Sequence, residues 1–127
     1  MPRRFKKHYQ IEEARSLLPQ IRVWLKEIQD HRAKLQKIDS RLGQLIKSGA
    51  DAGGESVNLQ IKLLAGLQRL LREFEEREIQ IKDLERGLID FPAIISGQEV
   101  FFCWEQDDED IEFWHDLDSG YAGRERL

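Results

Sequence analysis

At 127 residues, 40% apolar and 35% charged, the chain has the size of one ordinary domain, which excludes a multidomain assembly and a collagen-like or low-complexity chain. No uncharged apolar run approaches the roughly 18 residues of a membrane-spanning helix, and the basic stretch Met1 to Lys7 lacks the apolar segment of a signal peptide, so a soluble, cytoplasmic protein with no membrane partner is expected. The net charge of −4 conceals an asymmetry: residues 1–47 hold 12 basic against 5 acidic side chains, and residues 48–127 hold 8 against 19, so the two parts should neutralise each other, as arms or as subunits.

The chain opens on a basic arm, Arg3, Arg4, Lys6 and Lys7, but no recognition motif accompanies it and a nucleic-acid partner is not expected. Helical periodicity follows. Ala14, Ile21, Ile28, Leu35 and Leu42 recur every seven residues, with Leu17, Trp24, His31, Ile38 and Leu45 three places after each. These are the two core positions of a heptad. Pro19 falls inside the pattern and cannot donate to the preceding turn, which predicts a short first segment over 11–18, a bend, and a long helix over 20–47. Ser48 to Glu55, with three glycines and no large apolar side chain, reads as a helix-to-helix connection.

A second helix carries the stripe Val57, Ile61, Leu64, Leu67, Leu71 and Phe74, broadened by Leu63 and Leu70, and should end near Glu78. Ile79 and Ile81 then alternate with polar residues, the period of a strand. GLIDFPAIIS, EVFFCWE and DIEFWHD continue as β-branched and aromatic stretches between turns. Gly97 as the first residue of a two-residue loop predicts the pairs Ile95–Val100, Ala93–Phe102 and Phe91–Trp104. A solvated turn over Gln106 to Glu109, closed by Glu105 opposite Asp110, then puts His115 on the apolar face with Ile111 and Phe113. Asp90, Phe101, Cys103, Glu105, Glu112 and Trp114 share the other face.

GLIDFPA at 87–93, EVFFCW at 99–104, IEFWHD at 111–116 and GYAGR at 120–124, with YQIEEARSLLPQI at 9–21, resemble in order and spacing a bacterial and archaeal family of small proteins classed as a domain of unknown function. The resemblance spans nearly the whole chain and implies no activity, cofactor or catalytic residue. Relative to the family pattern, Gln10 replaces a small hydroxyl residue before the first helix, Glu78 replaces a glycine before the short strand, and Glu105 with the acidic turn replaces an arginine and a Gly-Glu pair.

Phosphate loops, HExxH, paired cysteines and GxSxG are absent from the sequence. The single cysteine, Cys103, excludes an intramolecular disulfide and suits a reducing compartment. Its two phenylalanine neighbours mark it as a buried structural thiol. His115 beside Asp116, with Asp90, Cys103 and Glu105 brought near by the strands, forms a carboxylate and imidazole cluster that would suit a divalent cation or acid-base work, or serve structural ion pairing. No metal is assigned and no cofactor is named. Three acids on one face call for a counter-charge, and Arg124 at the end of a glycine-hinged tail is the expected contact for Asp90, Glu105 or Glu112.

The expected fold is α+β within 1–127: a long antiparallel helical hairpin over 11–78, then a small, mostly antiparallel sheet of three to four strands with a tail over 79–127. The expected function is a cytosolic homodimeric interaction module that associates along a seam of Trp24, His31, Leu64, Leu67 and Leu71. His31 would tune that association with pH. An unidentified protein or small-molecule partner would be recognised on a sheet surface of Asp90, Cys103, Trp104, Glu105, Glu112, Trp114, His115 and Arg124. The rival is a small metal- or ligand-binding enzyme using the carboxylate and histidine cluster of the sheet.

Overall fold

The computed structural model describes residues 2–49 and 54–127. Helix α1 spans Ile11–Lys47 and helix α2 spans Gly54–Glu76, and the two form a hairpin. Residues 50–53, the centre of the expected connection, lie outside the described residues. The sheet is an antiparallel meander, β1 Gln80–Asp83, β2 Leu88–Ile95, β3 Gln98–Glu105, β4 Phe113–Asp116 and β5 Glu125–Arg126, in spatial order 1-2-3-4-5. That is one strand more than expected, because the tail turns through a 3-10 segment at Tyr121–Gly123 and pairs along β4 instead of crossing the sheet.

Pro19 does not interrupt α1. It lies on the exposed side of the helix, while Leu18 and Ile21 are locked into the core and hold the backbone through the missing hydrogen bond. Interior proline costs roughly 3 kcal/mol, which burial of two large aliphatic side chains can offset. The heptad positions Ala14, Ile21, Ile28 and Leu35 are buried, joined by Leu18 and Leu25 where α1 meets the sheet. One sheet face, Ile89, Phe91, Ala93, Val100, Phe102 and Trp104, packs into the same core with Phe74 of α2 and Tyr9 of the arm. At about 1.5 Å per residue α1 is roughly 55 Å long. Its buried residues stop at Leu35.

The strand registers differ from expectation in two ways. Ser96 (φ 51°) and Gly97 (φ 78°) are both left-handed and form the loop, so Ile95 pairs with Gln98, Ala93 with Val100 and Phe91 with Phe102. Positive φ at both central residues is the type I′ signature, which suits the right-handed twist of the strands. This moves the pairing by two residues and leaves every side chain on its expected face.

The second difference is a slip of one residue, which reverses faces. Phe101 pairs with His115 and Cys103 with Phe113, so His115 joins the face of Asp90 and Cys103, and Trp114 turns to the core side. The cause is the longer connection from Gln106 to Glu112. Trp104 Nε1 donates to the Asp108 carbonyl (3.0 Å), Arg22 donates to the Asp108 and Glu109 carbonyls, and Ile111 is drawn fully into the core. The turn is therefore organised by protein groups.

Charge neutralisation runs between the basic first part and the sheet. Arg4 pairs with Asp118 (3.1 Å) and Arg15 with Asp110 (2.9 Å). The arm is anchored on two carboxylates: Glu99 accepts from the backbone amides of Arg4 and Phe5, and Glu78 from those of Lys6 and Lys7. Tyr9 completes it, its amide donating to the Pro92 carbonyl (2.7 Å) and its hydroxyl to the Arg77 carbonyl (2.8 Å).

Candidate functional site

Three adjacent strands place Asp90 (β2), Cys103 (β3) and His115 (β4) on the sheet face turned away from the hairpin core. All three are buried, at 2%, 1% and 2% exposure. One ligating atom from each lies within 4.8 Å of the other two. Burial of a carboxylate and an imidazole at this level requires mutual compensation. His115 Nε2 and Asp90 Oδ2 are 2.9 Å apart, and His115 Nδ1 is 2.7 Å from the Asp116 carbonyl oxygen. A carbonyl only accepts, so Nδ1 carries a proton. A hydrogen bond at Nε2 then requires a second proton between the ring and the carboxyl group, and the pair is net neutral whichever partner holds it.

Burial raises the Asp90 pKa above its ordinary value, opposed by the nearby His115 and more weakly by Lys82. Among the described residues Asp90 Oδ1 has no hydrogen-bond partner. Burial, reinforced by the Asp90 charge, pushes the Cys103 thiol up to about 12, so it stays protonated at neutral pH. Aromatic side chains cover the cluster. The Phe101 ring lies 5.5 Å from that of His115, the Phe5 ring of the arm meets Phe101 edge-on at 5.4 Å, and the Lys82 ammonium sits 4.9 Å from the Phe101 centroid.

The remaining expected site residues scatter. Trp104 is buried in the hairpin core and Trp114 packs against that core half-buried. Glu105 pairs with Arg86 at 2.8 Å, an ion pair that raises the Arg86 pKa. Glu112 is exposed. Arg124 does not pair with Asp90, Glu105 or Glu112 among the described residues; it stacks on Phe113 (4.0 Å) and Tyr121 (4.1 Å), with Arg86 4.5 Å from the same Tyr121 ring. The expected crowding of three acids was a product of the wrong register, which removes the need for this counter-charge.

Of the expected seam, Trp24 is half-buried, edge-on to Phe74 (5.7 Å) and beneath the Arg77 guanidinium (4.9 Å). Leu67 and Leu71 are half-buried against the core and Leu64 is 45% exposed. His31 lies within the hairpin, its Nδ1 donating to the Glu27 carbonyl (2.7 Å) and its Nε2 resting against Gly66 of α2, where a Cβ would come within 2.7 Å. Phe5, His8 and Glu99 carry no signal that singles them out in the sequence, and Glu78 stands out only as a departure from the family pattern at the end of the second helix. The period-two alternation after Glu78 marks Lys82, which shares its face with Asp90, but nothing local marks Glu99 as an anchor 94 residues from Phe5.

A family model described as an uncharacterized conserved protein, DUF2203, matches residues 7–127. No curated protein and no solved structure matches the chain.

Proposed function

The chain belongs to the uncharacterised conserved protein family DUF2203, and on its own geometry we propose that it is a homodimeric interaction module whose two copies meet along α2. The observation that carries this is a contiguous uncharged face on that helix. Val57, Ile61 and Leu64 recur at one helical position and are 40%, 59% and 45% exposed, and the residues flanking them on the same face, Gln60, Ala65 and Gln68, carry no charge. Of the basic side chains of the hairpin end, Lys34, Lys37, Arg41 and Lys47 lie on α1, and Lys62 of α2 falls off the apolar stripe at helical spacing. A two-fold pairing of α2 against α2 therefore buries the apolar stripe without bringing those charges together, which makes a second copy the fitting occupant.

The free, buried Cys103 suits work in the reducing cytoplasm. The rim of the C-terminal sheet, with Glu112 exposed and Glu105, Trp114 and Arg124 half-buried, is the surface left for an unidentified protein or small-molecule partner. A second reading, a small metal- or ligand-binding enzyme, is supported by the Asp90–Cys103–His115 cluster. Light scattering at micromolar concentration tests the first: the expected mass is twice that of the chain. Ile61→Glu with Leu64→Lys should give a folded monomer, since both side chains are exposed. A wild-type monomer at every concentration overturns the proposal.

A further inference from the structure

We propose that Asp90, Cys103 and His115 form a binding site for a soft divalent transition metal ion, zinc(II) in the first instance. The donor set selects the class: a thiolate and an imidazole with one carboxylate suit zinc or cobalt, whereas calcium and magnesium require oxygen ligands throughout. The three donors stand on neighbouring strands of one sheet, so the site is built on rigid backbone. They lie within 4.8 Å of one another. Ligands bonded to one zinc ion at roughly 2.0–2.3 Å stand about 3.3–3.8 Å apart, a closure that side-chain rotation supplies.

Two further observations point to a ligand. Asp90 Oδ1 is a carboxylate oxygen in a residue only 2% exposed, with no hydrogen-bond partner among the described residues. His115 donates Nδ1–H to the Asp116 carbonyl, the outer hydrogen bond that fixes a ligating histidine with Nε2 aimed inward. Charge is conserved as well. A divalent ion held by carboxylate, thiolate and neutral imidazole is net neutral, as is the cluster with its proton-sharing pair and protonated thiol. The three side chains supply three ligands and leave a fourth position for water or another ligand.

The full-length chain titrated with cobalt(II) tests this independently of its oligomeric state. The expected result is one equivalent bound with a thiolate-to-cobalt charge-transfer band, displaced by zinc(II), and a zinc-dependent rise in melting temperature. Cys103→Ser should abolish the band and weaken zinc binding at least about a hundredfold, more than changes outside the ligand shell usually cost. Asp107→Asn with Glu109→Gln, which removes exposed acids of the neighbouring turn, should leave band and affinity unchanged. If Cys103→Ser does not fold, Asp90→Asn and the wild-type spectrum carry the same decision. A folded wild-type chain that binds cobalt without a charge-transfer band, or binding that survives Cys103→Ser and disappears with the turn acids, overturns the proposal.

Discussion

Glu99 and Glu78 each do with one carboxylate what a short N-terminal strand would do with a ladder of backbone bonds. Partial burial opposes ionisation of Glu99, but hydrogen bonds from His8 and from the amides of Arg4 and Phe5 prevail and hold its pKa down to about 2, below the ordinary 4.5. Because the folded value is the lower one, the stabilisation is complete above about pH 5 and is lost as the pH falls toward 2. Glu99→Gln should therefore flatten the acid limb of the melting-temperature profile over that range; an unchanged limb would remove Glu99 as its source. Glu78 pays for its position with a left-handed backbone, φ 57°, a region that favours glycine. Glycine there would relieve roughly 1–2 kcal/mol of strain while releasing the Lys6 and Lys7 amides. Hydrogen exchange on Glu78→Gly should show those two amides exchanging faster with little change in melting temperature. At Gly66 the contact with His31 decides the sign of a substitution. Gly66→Ala should destabilise by about 1 kcal/mol net, because overpacking of roughly 1–3 kcal/mol exceeds the helix-propensity gain of about 1. In a His31→Ala background the same change should stabilise, and a double-mutant cycle without coupling would show that the two residues do not meet as described.

Elements whose identity rests on local periodicity were legible in the sequence, and features resting on turn conformation were not. The heptad of α1 recurs as a face buried through Leu35 and the alternation at Ile79 and Ile81 as the entry to β1, whereas the stripe of α2 is covered only at Leu63 and from Leu67 to Phe74, with Val57, Ile61 and Leu64 exposed. Pro19 misled because its propensity is local while its tolerance comes from Leu18 and Ile21 in the core. In the first hairpin Gly97 was identified as a turn residue, but Ser96 at positive φ was not, since serine does not advertise that conformation. The type I′ loop gives a direct test. Ser96→Asn should raise stability by roughly 0.5 kcal/mol, asparagine being better tolerated in the left-handed region, and a loss on thermal melting would contradict the loop. The second register depends on Arg22 and Trp104 seizing carbonyls of the acidic turn, a tertiary event invisible to pattern. That slip is why His115, although named with Asp90 and Cys103, was expected on the opposite face of the sheet from them.

At the scale of the molecule, the N-terminal arm ties together parts that the meander alone leaves separate. It touches β2 through Tyr9 and Pro92, β3 through Glu99, and the junction of α2 with β1 through Arg77 and Glu78. Its Phe5 ring also covers Phe101, whose ring in turn lies beside His115. Integrity of the arm and protection of the buried cluster are therefore one property. In the whole protein Cys103 is shielded both by burial and by a pKa near 12, so a thiol reagent at neutral pH should modify it far more slowly than a free cysteine. Removal of residues 1–8 uncovers Phe101 and admits water above the cluster, which lessens the desolvation that raises the thiol. The truncated chain should melt at a lower temperature and its Cys103 should react at least about tenfold faster under native conditions. Phe5→Ala, which keeps the backbone anchors on Glu99 and Glu78, should accelerate the reaction with a smaller loss of melting temperature. Equal reactivity in all three proteins would show that the sheet alone protects Cys103, and that the arm is only a clamp on the strands.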